Sequence, residues 1–435
     1  MTCAGLDVAA VCLAVSLSNL HREPNLLHPP LVIGWVGLLY CTWAWLFGGY
    51  TLLRWPWLRL RLVGQRLMLT AAATWASLVL VCWLLGISVA DISLLRRDVL
   101  LEVLAWQTLM ALLIRLQLRL VIRSRPKARW QLLASPDHGD NIIREWERNP
   151  FVRTPQLIST DWLTTPSATH GTSTSTTALA VASELQLDLD QRSLISQLKS
   201  QGMVVTTLED LAQRQLERIP PSLLPNNWLN FRDLPWSHEL SLQRKAKRMA
   251  DVSMAIVLLL VTAPLMMVIG AAIWLEDRGP VLYIQERTGW MGQPFRLIKL
   301  RTMRVTSPGS ATHWTTSRDA RITGIGTILR RTRLDELPQL INVIRGEMSL
   351  IGPRPEQPFL DDQLASSIPH YRKRYWMLPG LSGWAQVCGP AYPASLEESE
   401  LKLSYDLFYL RNWSLGLDLL ILAKTIKTLL KVRGV

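Results

Sequence analysis

Two adjacent carboxylates, Asp335 and Glu336, stand in a stretch crowded with guanidinium groups. Arg330, Arg331 and Arg333 precede them, Arg345 follows, and Arg354 lies between prolines in Gly352-Pro353-Arg354-Pro355. A carboxylate held among cations keeps its charge near neutral pH and can act as a nucleophile. A second carboxylate beside it can help hold a hard divalent cation such as Mg²⁺. Planar guanidinium forks suit a diphosphate. Taken alone, these residue types describe phosphoryl transfer on an anionic substrate. An isolated Asp-Glu step ahead of Pro338 is also what the dipole of a helix N-terminus attracts, so on these residues alone both readings stand.

Further blocks share the second half of the chain. In order they are Lys247-Arg248-x-x-Asp251, Leu275-Glu276-Asp277-x-Gly279-Pro280, Gln285-x-Arg287-x-Gly289 and Lys299-Leu300-Arg301-Thr302-Met303. Asp319-x-Arg321-Ile322-Thr323, Pro379–Gln386 (PGLSGWAQ) and Tyr405-Asp406-x-x-Tyr409 follow. With residues 332–356 they resemble, in the family's order, the catalytic core of the bacterial sugar transferases, the polyprenyl-phosphate glycosylphosphotransferases with one membrane-associated catalytic domain. The resemblance covers roughly residues 240–432. It implies transfer of a sugar 1-phosphate from a nucleotide diphosphate sugar, by family expectation a UDP-sugar, to polyprenyl (undecaprenyl) phosphate. UMP would be released, and the product would start an exopolysaccharide, O-antigen or capsule-type glycan. On this footing Asp335 attacks the β-phosphate and forms an acyl-phosphate that carries the sugar. Glu336 helps to hold Mg²⁺, the one cofactor implied.

The remaining site candidates follow from that chemistry. Arg354 is the first choice for a phosphate clamp, because flanking prolines restrict its backbone; Arg330, five residues before Asp335, is the second. Lys299 and Arg301 are placed to contact substrate phosphates, with a structural ion pair as the alternative. Gln285 and Arg287 follow a strand-like VLYIQ run and line the site. Lys247 and Arg248 open an apolar run, where they contact a headgroup or lipid phosphate and anchor the helix, or form an ordinary snorkelling collar. Arg333 reads as a surface charge, and Trp384 as an interfacial anchor or a substrate contact.

These residues need a membrane and a scaffold. The 435 residues allow two or three domains; 49% are apolar, 19 are Trp and the mean hydropathy is +0.16, which points to a membrane protein. The net charge of +13 fits a cytoplasmic basic collar, and no nucleic-acid-binding spacing accompanies it. Five cysteines without a CxxC point to neither a disulfide framework nor a zinc site. Apolar runs at 4–20, 31–53, 67–90 and 99–121 predict a four-helix transmembrane domain over residues 1–121. The second and third have the purity of spanning helices, whereas Asp7 interrupts the first and Glu102 and Arg115 the fourth. The first run lacks the basic start and cleavage site of a signal peptide, so a retained helix is expected. Arg54, Arg59, Arg61 and Arg66, and the basic stretch Arg119–Arg129, belong in the cytoplasm. That places the N-terminus inside, and four crossings satisfy it.

Residues 130–235 alternate short strands (WQLLAS, PQLIST, ALAVAS, MVVTTL) with helices at Asp140–Arg148 and Gln191–Ser200, the pattern of a small α/β module with a mostly parallel sheet. The resemblance puts a degenerate Rossmann-like domain here. Ser135-Pro136-Asp137-His138-Gly139 replaces the glycine-rich phosphate cradle, so a scaffolding, oligomerising or regulatory role is expected. Thr164–Thr177 reads as a flexible loop and Ile219–Pro225 as a linker. Residues 240–435 are expected to form a mainly helical α+β catalytic domain. Within it, run 252–275 carries no charge and has Pro264 at its middle. It is expected to be re-entrant, because a crossing would strand the arginine-rich region away from cytoplasmic nucleotide sugars, and family members return this helix to one side. Trp413–Lys431 reads either as a membrane-surface amphipathic helix or as a helix packed on the core. The expected location is the bacterial inner membrane, multi-pass, with the catalytic domain on the cytoplasmic face and a homodimer as one assembly the membrane domain would support.

Overall fold

A computed structural model describes residues 2–19, 30–47, 60–84, 97–124, 129–149, 152–159, 177–183, 185, 187–225, 227–234, 237, 241–304, 321–390, 393 and 395–430. Arg54, Arg59, Arg125, Lys127, Asp319 and nearly all of the Ser/Thr-rich stretch lie outside these residues. The chain divides into two units, Met1–Lys127 and Ala128–Val435.

The first unit is a bundle of α1 (Thr2–Asn19), α2 (Pro30–Leu46), α3 (Leu60–Leu84) and α4 (Arg97–Ser124). Each helix packs on two neighbours, around Val15, Tyr40, Leu67 and Val103. Among the described residues of this unit, α3 and α4 contain apolar windows long enough to cross a membrane, at Val63–Trp83 and Val99–Val121; Gly5–Leu17 and Ile33–Leu46 are shorter apolar helices. The last part of the second predicted run, residues 48–53, lies outside the described residues. Its described part, α2, has 17 residues, about 25 Å of helix. The charges that interrupt the outer runs solve one another's problem. Arg115 donates to both carboxylate oxygens of Asp7 at 2.8 Å, and both residues are buried. A bidentate pair removes two isolated charges that apolar surroundings would penalise heavily.

The second unit opens with a sheet buried on both faces. Its strands are β1 (Arg129–Leu133), β2 (Gln156–Ile158), β3 (Thr177–Val181) and β4 (Val204–Thr207), with α5 (Pro136–Glu147), α6 (Leu189–Ser200) and α7 (Leu208–Leu216) around them. All pairings are parallel, in the order β2-β1-β3-β4. Leu132 and Ala180 pack on Trp146 and Leu211 on one side; Leu133 and Leu179 pack on Leu194 and Ile195 on the other. In the β1–α5 turn, a Cβ on Gly139 would lie 2.4 Å from Leu157, so this glycine serves close packing rather than a phosphate. The Ile219–Pro225 stretch is not a free linker: Ile219, Leu223 and Leu224 are buried and the Ile219 amide bonds to Ser404 O at 2.8 Å.

The remainder is mostly helical. Helix α8 (Leu242–Asp277) runs unbroken for 36 residues through Pro264 and is also long and apolar enough to cross a membrane. Next come the antiparallel hairpin β5 (Leu282–Thr288) and β6 (Pro294–Leu300), then α9 (Gly324–Thr332) and α10 (Gln339–Arg345). Strand β7 (Ser349–Ile351) pairs in parallel with β8 (Gly380–Ser382) across α11 (Pro358–Ser367). The chain then forms α12 (Trp384–Cys388), α13 (Leu396–Asn412) and α14 (Leu415–Leu430). Early in α8, Ala255 shares a core with Leu297, Leu340, Val343 and Met348; late in it, Ile273 shares one with Leu300 and Leu329. Between them Leu260, Val261, Met267 and Val268 are exposed. Helix α14 packs on the core through Ile421 and leaves Leu419 and Ile426 exposed.

Candidate active site

The acid pair occupies a single 3₁₀ turn, Leu334–Glu336, wedged between α9 and α10. Arg333 ends α9 in the left-handed region at φ 57°, which re-aims the chain inward. Asp335 and Glu336 are thereby 9% and 8% exposed. Two anchors fix the turn. Thr323 caps α9 by accepting from Gly326 N at 2.9 Å. Asn342 sews α10 to β6, donating to Arg296 O at 2.8 Å and accepting from Ile298 N at 3.1 Å. The next residue of β6 is Lys299.

Arg354 comes from the loop after β7. Gly352 N donates to Ser382 O at 2.8 Å and Gly380 N to Pro353 O at 2.9 Å. A Cβ on Gly380 would sit 2.1 Å from Gly352 N, so only glycine permits this approach. The loop delivers Arg354 Nη2 to Glu336 Oε1 at 2.7 Å. Arg330 reaches the same region from α9, its Nε donating to Thr302 Oγ1 at 3.0 Å.

These neighbours split the two acids. Burial and the adjacent Glu336 charge push Asp335 up to about 6, against the pull of Lys299, Arg354 and Arg330. Burial alone would raise Glu336 as well, but Arg354, Lys299 and the Arg354 hydrogen bond outweigh it and hold Glu336 at about 2. Burial, together with Arg354, lowers Lys299 to about 8. Adjacent carboxylates driven apart in this way are suited to separate roles. Glu336 is an anion tied to a guanidinium, whereas Asp335 is a more basic carboxylate in the field of Lys299, Arg354 and Arg330. Among the described residues no three His, Cys, Asp or Glu side chains form a metal cluster. The pair nevertheless fits Mg²⁺, which binds one or two carboxylates and completes its shell with water and substrate phosphate oxygens.

Of the residues chosen from sequence, Asp335, Glu336, Lys299, Arg330 and Arg354 come together, and the others do not join them equally. Arg287 donates to Gln285 Oε1 at 2.8 Å and to Pro355 O at 3.3 Å, so it holds the clamp loop while its charge acts on Lys299. Arg301 is buried with its guanidinium against Gly279, where a Cβ would lie 2.1 Å from Nη1. Lys247 and Arg248 do not join the acid pair and have partners within the chain. Lys247 is held by Asp418 at 2.7 Å and Ile351 O at 3.1 Å; Arg248 bonds to Val343 O at 2.6 Å and Ile344 O at 3.0 Å, closing the end of α10. Trp384 is neither interfacial nor at the site. It is buried, stacks on Phe408 and donates to Glu217 O at 3.0 Å. The sequence reading also passed over Glu356, Arg374 and Lys402, and gave Asp406 no role. Arg374, Lys402 and Asp406 are buried and pair with one another and with half-buried Glu356 at the end of the Arg354 loop; the signals were the residue closing Gly-Pro-Arg-Pro-Glu and the Tyr405-Asp406-x-x-Tyr409 block.

Residues 242–432, which contain this whole constellation, match the family model described as bacterial sugar transferase. A UDP-N-acetylgalactosamine-undecaprenyl-phosphate N-acetylgalactosaminephosphotransferase of Aeromonas hydrophila is 42% identical over 184 residues, 42% of this chain and 43% of that protein. A UDP-glucose:undecaprenyl-phosphate glucose-1-phosphate transferase of Caulobacter vibrioides is 43% identical over 185 residues, 42% of this chain and 69% of that protein. The exopolysaccharide production protein ExoY of Sinorhizobium fredii is 36% identical over 207 residues, 43% of this chain and 87% of that protein. The likeness thus spans less than half of the Aeromonas protein and most of the two others. With this match over the stretch that builds the site, the chain belongs to the bacterial sugar transferase family.

Proposed function

We propose that this protein transfers a sugar 1-phosphate from a UDP-sugar to a polyprenyl phosphate at the cytoplasmic face of a bacterial inner membrane, as the first step of a surface-glycan assembly. The observation that carries the reading is the buried acid turn Leu334–Glu336, where Arg354 Nη2 holds Glu336 Oε1 at 2.7 Å and Lys299, Arg354 and Arg330 act on the adjacent Asp335. In the first step a carboxylate oxygen of Asp335 attacks the β-phosphorus. The bond from that phosphorus to the bridging oxygen breaks, and its electron pair leaves with UMP. In the second, a phosphate oxygen of the polyprenyl phosphate attacks the same phosphorus, and the acyl-phosphate bond breaks to restore the carboxylate. Lys299, Arg330 and Arg354 offset charge on the phosphate oxygens in a site screened from water. Glu336, with Asp335, would hold Mg²⁺, which supplies neutralisation of the diphosphate and of the leaving UMP.

The test is UMP release by the full chain in nanodiscs with Mg²⁺, polyprenyl phosphate and a panel of UDP-sugars. Release with one sugar and lipid-linked product are expected; well-folded protein that releases no UMP with any donor would refute the reading. The pH profile is a sharper form of the test. Asp335 must be ionised, so kcat/KM falls as pH drops through about 6. Lys299 must be protonated, so it falls again as pH rises through about 8. A flat profile from pH 5 to 9 would exclude this pair of roles.

The same reading makes α8 re-entrant. Its early residue Ala255 and late residue Ile273 are 18 positions apart, about 27 Å along a straight helix. Yet they share cores with Leu297 and Leu300, three residues apart on β6. At its start Asp251 accepts from Ser349 Oγ at 2.7 Å, and at its end Glu276 accepts from Gly324 N at 3.1 Å. Both ends hold one body, which supports a bend at Pro264 and a return to the side of entry. In a cysteine-free background, Met249→Cys and Arg278→Cys should both react with an impermeant maleimide in inside-out vesicles and neither in intact cells. Labelling split between the two preparations would mean a crossing.

A further inference from the structure

A clamp is only as good as the backbone that aims it, and the Arg354 loop is held in an unusual way. Pro353 and Pro355 donate no N–H, so the segment is fastened by its carbonyls. Pro353 O accepts from Gly380 N at 2.9 Å, Arg354 O from Arg374 Nη2 at 2.9 Å, Pro355 O from Arg287 Nη1 at 3.3 Å and Glu356 O from Thr288 N at 2.9 Å. The only one of these bonds made to Arg354 itself comes from Arg374, a side chain 1% exposed.

Arg374 is in turn fixed from several directions. Its Nη1 donates to Tyr371 Oη at 2.8 Å, its Nη2 lies 2.8 Å from Asp406 Oδ2, and Glu356 Oε1 is 3.6 Å away. The rings of Tyr371 and Tyr375 flank its guanidinium at 5.2 and 5.6 Å. Glu356 is paired with Lys402. Two cations and two anions therefore balance behind the clamp. Buried ion pairs rarely stabilise a protein more than well-packed apolar side chains would, so stability alone is a poor reason for this quartet. Geometry is a better one, because only a planar, multi-donor fork reaches a carboxylate, a phenol and a backbone carbonyl at once. Helix α13, which supplies Lys402 and Asp406, is braced on another flank by the middle module, through Ile219 N to Ser404 O at 2.8 Å and Arg411 to Asp210 at 3.0 Å.

We propose that Arg374, held by Asp406 and the Glu356–Lys402 pair, is the positioning residue for the Arg354 clamp, acting through the Arg354 carbonyl. It touches no substrate. The proposal rests on the transferase reading for the clamp's task.

The test is a double-mutant cycle on the full chain in nanodiscs, reading both turnover and UDP affinity. Arg374→Lys keeps the charge but loses the fork, and should lower kcat/KM about 10- to 100-fold, the usual range for groups that orient a functional residue. In an Arg354→Ala background the same change should cost less than about 2-fold, because its target is gone. Losses that multiply would assign Arg374 a merely structural role and overturn the proposal, as would wild-type turnover and UDP affinity in Arg374→Lys. If Arg374→Lys does not fold, Asp406→Asn carries the same cycle with the same criteria. Wild-type protein that binds UDP but transfers nothing refutes the transferase reading alone, and the cycle is then decided on UDP affinity. Wild-type protein that binds no UDP overturns both.

Discussion

Asp335→Asn is expected to abolish UMP release while leaving a protein that unfolds at a higher temperature than the wild type. The loss should be on the order of 10⁴-fold or more, since an amide cannot form the acyl-phosphate and the remaining clamps recover only binding and charge stabilisation. The gain in stability follows from the sign of the Asp335 shift. Its folded value, about 6, lies above the unfolded value near 3.8, so the folded state binds this proton more tightly. Ionisation therefore costs stability that begins to be lost above pH 3.8 and is fully lost above pH 6. At neutral pH the cost is about 3 kcal/mol, from roughly two pH units at about 1.4 kcal/mol each. A neutral, isosteric amide removes it. Thermal unfolding at pH 7.5 beside the UMP assay checks both halves. Residual turnover above about 1% of wild type would remove Asp335 as nucleophile even if the stability gain appeared. A fall in stability with activity gone would mean the carboxylate is a structural ligand.

The residues that gather around Asp335 are close together in the sequence, whereas those that support them are not, and the reason is physical. Asp335, Glu336, Arg330 and Arg354 fall within 25 residues of sequence, and their types already state the chemistry. Periodicity likewise located the strands of the middle module, whose two-faced burial gives short apolar runs such as Leu132-Leu133. Lys247 and Arg248, a basic pair ahead of an apolar helix, read as a membrane collar, and the partners they have within the chain, Asp418 and the carbonyls of Val343 and Ile344, are 95 to 171 positions away. The same distance hid the quartet behind the clamp. Nothing local tells that Arg374 pairs with Asp406, or Glu356 with Lys402 across 46 positions. Pro-rich Ile219–Pro225 read as a linker because prolines mark irregular backbone, and irregular backbone can still be buried when its polar groups find partners such as Ser404 O.

Arg354→Ala should also cripple transfer, by about 10²- to 10³-fold in kcat/KM, the cost of removing one fixed donor to developing charge. Its effect on stability should have the opposite sign from Asp335→Asn. Arg354 contacts Glu336 at 2.7 Å with both side chains largely buried, and the mutation leaves that carboxylate with less compensation. Breaking such a pair typically costs about 3–5 kcal/mol, and Lys299, which also lowers Glu336, should hold the loss toward the smaller figure. The pH profile of the residual activity separates a clamp from a strut. The Arg354 cation lowers both Asp335 and Lys299, so its removal raises both. The acid limb should move above about 6 and the basic limb above about 8, carrying the whole bell toward alkaline pH. If activity falls with both limbs unmoved, Arg354 supports the loop without sharing the field of the two reacting groups. If one limb alone moves, the other belongs to a residue outside this site. Only a joint displacement fits a single guanidinium whose charge acts on both Asp335 and Lys299.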